Sequence, residues 1–266
     1  MVQLKNVMDV FKLLNKSNCG DCLEKTCLAF AASVFKGQKH LDECPHLDEK
    51  IIRESGGNIE KQKTVEQDQE EIVQELKQKL LATDLSSAAP KVGGSFSNDQ
   101  LTLKIFGKSF IVCSDGSLIS DIHINPWVAI LVITYVLDCE GLPVSGNWVP
   151  FRELKTGKIW QRLFRQRCEI PLKKVADTYT DLFEDLIRIF NGKQVRNHYE
   201  SDISLVLHPL PRIPMLICYW RPGDGLESDL SLFFDSTAEN NCGIEAIYAL
   251  GTGFVRMIEK LSLRHG

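Results

Sequence analysis

No stretch of this 266-residue sequence is apolar enough to cross a bilayer. The most apolar run, Trp127 to Leu137, is well short of the roughly 20 residues that a spanning helix needs, so it belongs in a protein core. Met1-Val-Gln-Leu-Lys-Asn6 lacks the charged, hydrophobic and small-residue order of a secretory leader, and the expected location is cytoplasmic. Positive charge is not in excess either. With 31 Lys and Arg against 35 Asp and Glu, the net charge of -4 offers no broad polyanion-binding surface, which removes nucleic acid as a partner class. Gly-x-Ser-x-Gly, His-Glu-x-x-His and a phosphate loop are all missing. No complete hydrolytic or kinase site is therefore present, no catalytic residue is assigned, and enzyme status stays open. Internal repeats are absent. Five of the nine cysteines, Cys113, Cys139, Cys168, Cys218 and Cys242, have no His or Cys at metal spacing beside them, so they read as reduced thiols used as small hydrophobes.

The other four cysteines are close together near the start of the chain. Cys19, Cys22, Cys27 and Cys44 are spaced C-x2-C-x4-C-x16-C, with Pro45 after the last. Three ligands from one loop and a fourth from beyond a helix suit a thiolate cage around a metal or iron-sulfur cluster. Gly20 permits the left-handed backbone that wrapping requires. Cys27 opens a helix, whose positive end favours thiolate, and Lys16 and Lys25 add positive charge. Zinc sites usually set two close pairs apart, and the plant-type two-iron order is the reverse of this one. Spacing favours a four-iron cluster and leaves structural zinc and disulfides as alternatives.

Around this array the chain divides by composition. Val7, Val10, Phe11 and Leu14 share a helical face within residues 5–15, and Thr26 to Phe35 forms a second helix stopped at Gly37. Residues 1–48 are thus a small helical module. Residues 49–98 turn to Glu, Gln and Lys and read as a linker: a solvated helix over 59–82, in which Ile59, Val65, Ile72, Val73, Leu76, Leu80 and Leu81 recur, then a flexible hinge over 86–97. Residues 99–266 carry the larger core. A hairpin turns at Gly107-Lys108-Ser109, and helices run over 126–137, 171–190 and 241–263. Strands are expected at 203–207, 215–220 and 231–234. Hairpin strands with interspersed helices and no regular strand-helix alternation make the fold class α+β, with antiparallel strands.

Two resemblances sharpen this reading. Asn18-Cys-Gly-Asp-Cys22, Thr26-Cys-Leu-Ala-Phe-Ala31 and Cys44-Pro45 resemble the small four-iron-four-sulfur domain found in the large subunit of corrinoid iron-sulfur proteins and in bacterial Rnf-type electron-transport complexes. The match covers about residues 5–48 and departs from the family pattern only at Leu23, where glycine is usual. It implies one [4Fe-4S] cluster held by Cys19, Cys22, Cys27 and Cys44. Gly146-Asn-Trp-Val-Pro-Phe151, Ser201-Asp-Ile203, Leu210-Pro-Arg-Ile-Pro214, Tyr219-Trp220 with Gly223-Asp224, and Leu232-Phe-Phe-Asp235 look like the prokaryotic family called domain of unknown function 3786, often found with this module in anaerobes. That likeness spans about residues 100–262 and carries no activity.

Further candidates are weaker. Asp121-Ile-His123 resembles the cobalt-ligating D-x-H-x-x-G element of some corrinoid proteins. Pro126 replaces its glycine and no glycine-rich nucleotide-tail element follows, so His123 reads as a capping or packing residue. Asp224, Glu227, Asp229 and Asp235 lack calcium-loop periodicity and read as a solvated loop, with Asp202 and Asp235 suited to buried hydrogen bonds. Gly251 and Gly253 follow no strand and are not a dinucleotide fingerprint. Trp148, Trp160 and Trp220 are expected in the core rather than on a pocket floor. The leading expectation is an electron-transfer or redox accessory protein of anaerobic metabolism, serving a redox partner protein for which a corrinoid protein is the candidate. The alternatives are a redox-sensing or partner-binding module with a structural cluster, and an enzyme relaying electrons to a pocket around His123, Asp202, Trp220 and Asp235.

Overall fold

The computed structural model describes residues 4, 6–55, 65–179, 181–196, 198–223 and 225–265. Two compact units divide the chain, Met1–Asp68 and Gln69–Gly266.

The first unit is helical. Asn6 caps α1 (Val7–Leu13), its side chain accepting the Asp9 N–H, and Thr26 caps α2 (Cys27–Phe35) by accepting the Ala29 N–H. Gly37 at φ +71 ends the second helix as its position in the sequence predicts. A 3-10 turn, Leu41–Glu43, then leads through Cys44 to α3 (Glu49–Ser55). The apolar faces of α1 and α2 meet in a small core that includes Val10, Leu14, Phe30, Val34 and Leu41, together with Cys22, Cys27 and Cys44. The expected solvated helix over 59–82 is α4 (Val65–Leu81), of which Gln69–Leu81 belongs to the second unit and buries Leu80 in its core; Ile59 lies outside the described residues, as does the side chain of Val65.

The second unit is α+β, with antiparallel strands throughout. The hinge expected over 86–97 is instead α5 (Leu85–Lys91) followed by β1 (Ser95–Ser97). Small residues there suggest a hinge by composition, but Ala88, Ala89 and Val92 are buried against the core. Strands β1, β2 (Gln100–Ile105), β3 (Lys108–Cys113) and β4 (Leu118–Ser120) form a four-stranded meander. Its central turn is Phe106-Gly107, one step before the expected Gly107-Lys108-Ser109, and both residues have positive φ, as a two-residue hairpin turn demands. Phe106 tolerates this because its ring packs on Phe190 and Phe254.

Helix α6 (Pro126–Asp138) begins at the expected proline. After β5 (Trp148–Pro150), α7 (Gly157–Phe164) runs through a π-turn, Arg165–Glu169, into α8 (Ile170–Thr178). The single helix expected over 171–190 is two, because the backbone breaks before α9 (Leu182–Phe190), which ends at left-handed Asn191. Short β6 (Lys193–Gln194) precedes β7 (Ile203–Leu210), β8 (Ile213–Trp220) and β9 (Asp229–Asp235). These form a five-stranded sheet in the order β5-β9-β8-β7-β6. The final helix expected over 241–263 is α11 (Ile244–His265), preceded by the short α10 (Ala238–Cys242), which ends at Gly243.

One sheet face packs on the helices, with α11 lying against α6, α7 and α8. Gly253 is the closest point of that packing. A Cβ there would lie 1.9 Å from the Trp127 ring, and this explains the glycine without any nucleotide. The opposite face carries Val206, Leu216, Cys218 and Phe233, bordered by Trp148, Val195 and Trp220. Tyr199 stacks on Phe233 at 4.3 Å and donates to the Trp148 carbonyl, closing that face. Arg212, in the Leu-Pro-Arg-Ile-Pro segment, donates to the Pro90 and Lys91 carbonyls at the end of α5 and so joins the hairpin turn to it.

Candidate metal centre

The cysteine loop lies between α1 and α2 and is built from left-handed residues. Lys16, Asn18, Gly20 and Leu23 all have positive φ, at +63, +53, +84 and +64. Left-handed residues recurring in this way let the backbone curl and can turn successive N–H groups toward one side. Asn15 begins the curl by accepting the N–H and hydroxyl of Ser17, and the Leu23 N–H closes it on the Gly20 carbonyl at 2.9 Å.

Asn18 is the residue that spacing arguments overlook. Its backbone N–H donates to Cys27 Sγ at 3.3 Å, and its side-chain oxygen accepts the Cys27 N–H at 2.8 Å. One residue thus holds both ends of the third cysteine. The signal was present as the Asn of the Asn-Cys-Gly-Asp-Cys run, but composition alone assigns it no role.

Cys22, Cys27 and Cys44 are buried, at 8%, 6% and 7% exposure, within the same small core, and Cys19 is exposed. All four are free thiols. Cys44 follows the 3-10 turn that its own N–H closes on the Leu41 carbonyl. Lys16 sits over the Phe11 ring, whereas Lys39 donates to the Cys22 carbonyl at 2.5 Å and pairs with Glu43. At the exposed side His46 Nε2 lies 2.7 Å from Asp21 Oδ2. Hydrogen bonds from His46 and then Cys19 hold the Asp21 carboxyl below its usual range. Buried unpaired thiols, an N–H aimed at sulfur and a helix N-terminus at Cys27 fit an iron-sulfur group, which needs thiolates and donors to offset their charge.

The sequence candidates outside the cysteine loop do not form one site. His123 is exposed, and the cap of α6 is Asn125, whose side chain accepts the Val128 N–H. Asp202 accepts the Arg221 N–H but is exposed, which corrects its expected burial. Asp235 is fully buried and accepts from Ser145, Gly146 and Thr237. Burial would raise its carboxyl, yet those donors outweigh it and hold it low. Trp220 pairs with Asp229 at one end of β9 and Trp148 with Asp235 at the other, roughly 20 Å apart at strand rise. A pocket of His123, Asp202, Trp220 and Asp235 is therefore not formed. Glu227 and Asp229 are exposed, and Asp224 lies outside the described residues. Trp160 packs on Tyr248, away from the other two tryptophans. Burial pushes Cys139, Cys168, Cys218 and Cys242 up, the last to about 12, as suits inert thiols.

Residues 84–257, about two thirds of the chain, match the family described as Domain of unknown function (DUF3786). The chain belongs to this family. In this DUF3786 protein, residues 14–46 also match the family described as Putative Fe-S cluster, and with the curated relatives this marks an iron-sulfur protein. One relative is the acetyl-CoA decarbonylase/synthase complex subunit gamma of Methanothermobacter thermautotrophicus, 50% identical over 40 residues, covering 15% of this chain and 9% of that protein. Another is the corrinoid/iron-sulfur protein large subunit of Moorella thermoacetica, 43% identical over 42 residues, covering 16% and 9%. The gamma subunit of Methanopyrus kandleri is 42% identical over 52 residues, covering 20% and 11%. The chain spans about a tenth of the length of these relatives. No solved structure matches it. Among the described residues no helix is long and apolar enough to cross a membrane.

Proposed function

We propose that this DUF3786 protein is a cytoplasmic electron-transfer protein of anaerobic metabolism, carrying one [4Fe-4S] cluster on Cys19, Cys22, Cys27 and Cys44. The first 48 residues form the cluster module, and the α+β domain recognises the partner. The observation that carries this reading is the placement of three buried free thiols in one small core beside an exposed fourth. A bound cluster supplies one-electron chemistry that side chains lack. The chain's own groups set the conditions for it. Asn18 orients Cys27 and directs an N–H at its sulfur, and the α2 N-terminus offsets negative charge there. The surrounding Val10, Phe30 and Leu41 exclude water from the three inner sulfurs, while Cys19 leaves one corner near the surface, where a partner can approach.

Likeness to subunits of corrinoid/iron-sulfur and acetyl-CoA decarbonylase/synthase complexes supports a protein partner, and a corrinoid protein is the one we propose. The test is anaerobic reconstitution followed by metal and sulfide analysis, paramagnetic resonance and mixing of the reduced protein with an oxidised corrinoid protein. About four irons per chain, a signal on dithionite reduction and reduction of the corrinoid are expected. A zinc-only protein with no visible absorption refutes the cluster, and a reducible cluster that passes no electron refutes the transfer role.

A further inference from the structure

The four cysteines do not have equivalent surroundings. Cys22, Cys27 and Cys44 are embedded among apolar side chains, whereas Cys19 is exposed and has two other donors beside it. The donor atoms of Cys19, Asp21 and His46 all lie within 4.8 Å of one another, and among the described residues no other trio of His, Cys, Asp and Glu gathers so closely. All three residues are exposed. They come from separate places in the chain: the first turn of the loop supplies Cys19 and Asp21, and the residue after Cys44-Pro45 supplies His46.

We infer that Cys19, Asp21 and His46 form one exchangeable corner, at which an iron is held by Asp21 or His46 when Cys19 lets go. The inference rests on the cluster reading above. Carboxylate oxygen and imidazole nitrogen are both established ligand types for iron. In the exchange the Cys19 sulfur–iron bond breaks and an oxygen–iron or nitrogen–iron bond forms. No electron moves, and the released thiolate is left in water. The same exchange at Cys22, Cys27 or Cys44 would strand a thiolate in an apolar core, at a large desolvation cost. The Asp21–His46 pair also keeps the two alternative donors oriented toward each other, at 2.7 Å, beside Cys19. The surface corner is thereby the one at which the protein's hold on iron can change without unfolding the module.

The experiment compares wild type, Cys19→Ala, Cys27→Ala and the triple variant Cys19→Ala/Asp21→Ala/His46→Ala after anaerobic reconstitution. Iron and sulfide per chain are measured, with paramagnetic resonance of the oxidised and reduced samples. Cys19→Ala is expected to retain about four irons with an altered reduced signal, because a nitrogen or oxygen donor has replaced sulfur. The triple variant should fall to about three irons and show the oxidised three-iron signal, and Cys27→Ala should lose the cluster. Cys19 is exposed, so its replacement leaves the core intact, which circular dichroism checks. A Cys19→Ala protein with three irons or none, beside a fully loaded wild type, overturns the inference and leaves the cluster reading standing. A wild type that takes up no cluster overturns both.

Discussion

Leu23 holds a left-handed backbone, φ +64, directly after the second cysteine, with its side chain 90% exposed. The related pattern has glycine here, and the conformation supplies the reason. A residue with a Cβ crowds its own carbonyl in this region, at roughly 1–2 kcal/mol, while glycine gives back about 0.5–1 kcal/mol as lost chain entropy. The exposed leucine recovers nothing by burial. Leu23→Gly is therefore expected to stabilise the loop slightly, by about 0.5–1 kcal/mol, and Leu23→Val to weaken it. Thermal melts of the loaded protein check the order, and a lower midpoint for Leu23→Gly would contradict the account. Asn18 illustrates the opposite limit of sequence reading. Its type and position are visible in the motif, but its two-way hold on Cys27 depends on a left-handed φ of its own and on where α2 begins.

Among the elements, the π-turn between α7 and α8 places a carboxylate where none is expected. Strand β5 covers β9 only from Phe233 to Asp235, and Glu169 accepts the Leu232 N–H just beyond it, at 3.2 Å. Burial pushes the Glu169 carboxyl up, against the lowering pull of that N–H and of Arg165. A raised folded-state value means that the favourable, protonated form is complete below the unfolded value, about 4.3, and its contribution is lost as pH rises through the folded one. Glu169→Gln keeps an acceptor for Leu232 and removes the charge. It should raise the urea midpoint at about pH 7.5 relative to wild type and flatten the dependence of stability on pH above about 4.3. A lower midpoint near neutral pH, with wild-type behaviour at about pH 4, would show that the carboxylate is needed in its charged form.

Considered as a whole, the molecule has two cores of very different size. The larger unit has a continuous apolar core between helices and sheet, backed by a second cluster on the far sheet face. The first unit has a much smaller one, and three of its members are the cysteines themselves. Metal binding in so small a core is also folding energy. Removing the metal with a chelator under reducing conditions is therefore expected to loosen residues 6–55 while the strands β7, β8 and β9 stay protected. Hydrogen exchange read by mass spectrometry separates the two, and equal deprotection of both units would show that they unfold together.

Features that depend on neighbours along the chain were legible before any fold was known. The cysteine spacing, the stop at Gly37 and the proline opening α6 all act within a few residues, so their physics is local, whereas the caps at Asn6 and Thr26 were seen only in the structure. Apolar runs marked β7, β8 and β9 for the same reason. That Ala88, Ala89 and Val92 are core rather than hinge came from the packed molecule, because burial of small residues depends on what lies over them. The structure also divides the stretch 171–190 into α8 and α9 and sets Trp220 and Asp235 at opposite ends of β9. It brought Asp21 and His46 together across 25 residues of chain beside Cys19. Such meetings follow from how the loop curls and where α2 returns it, and no local rule contains either.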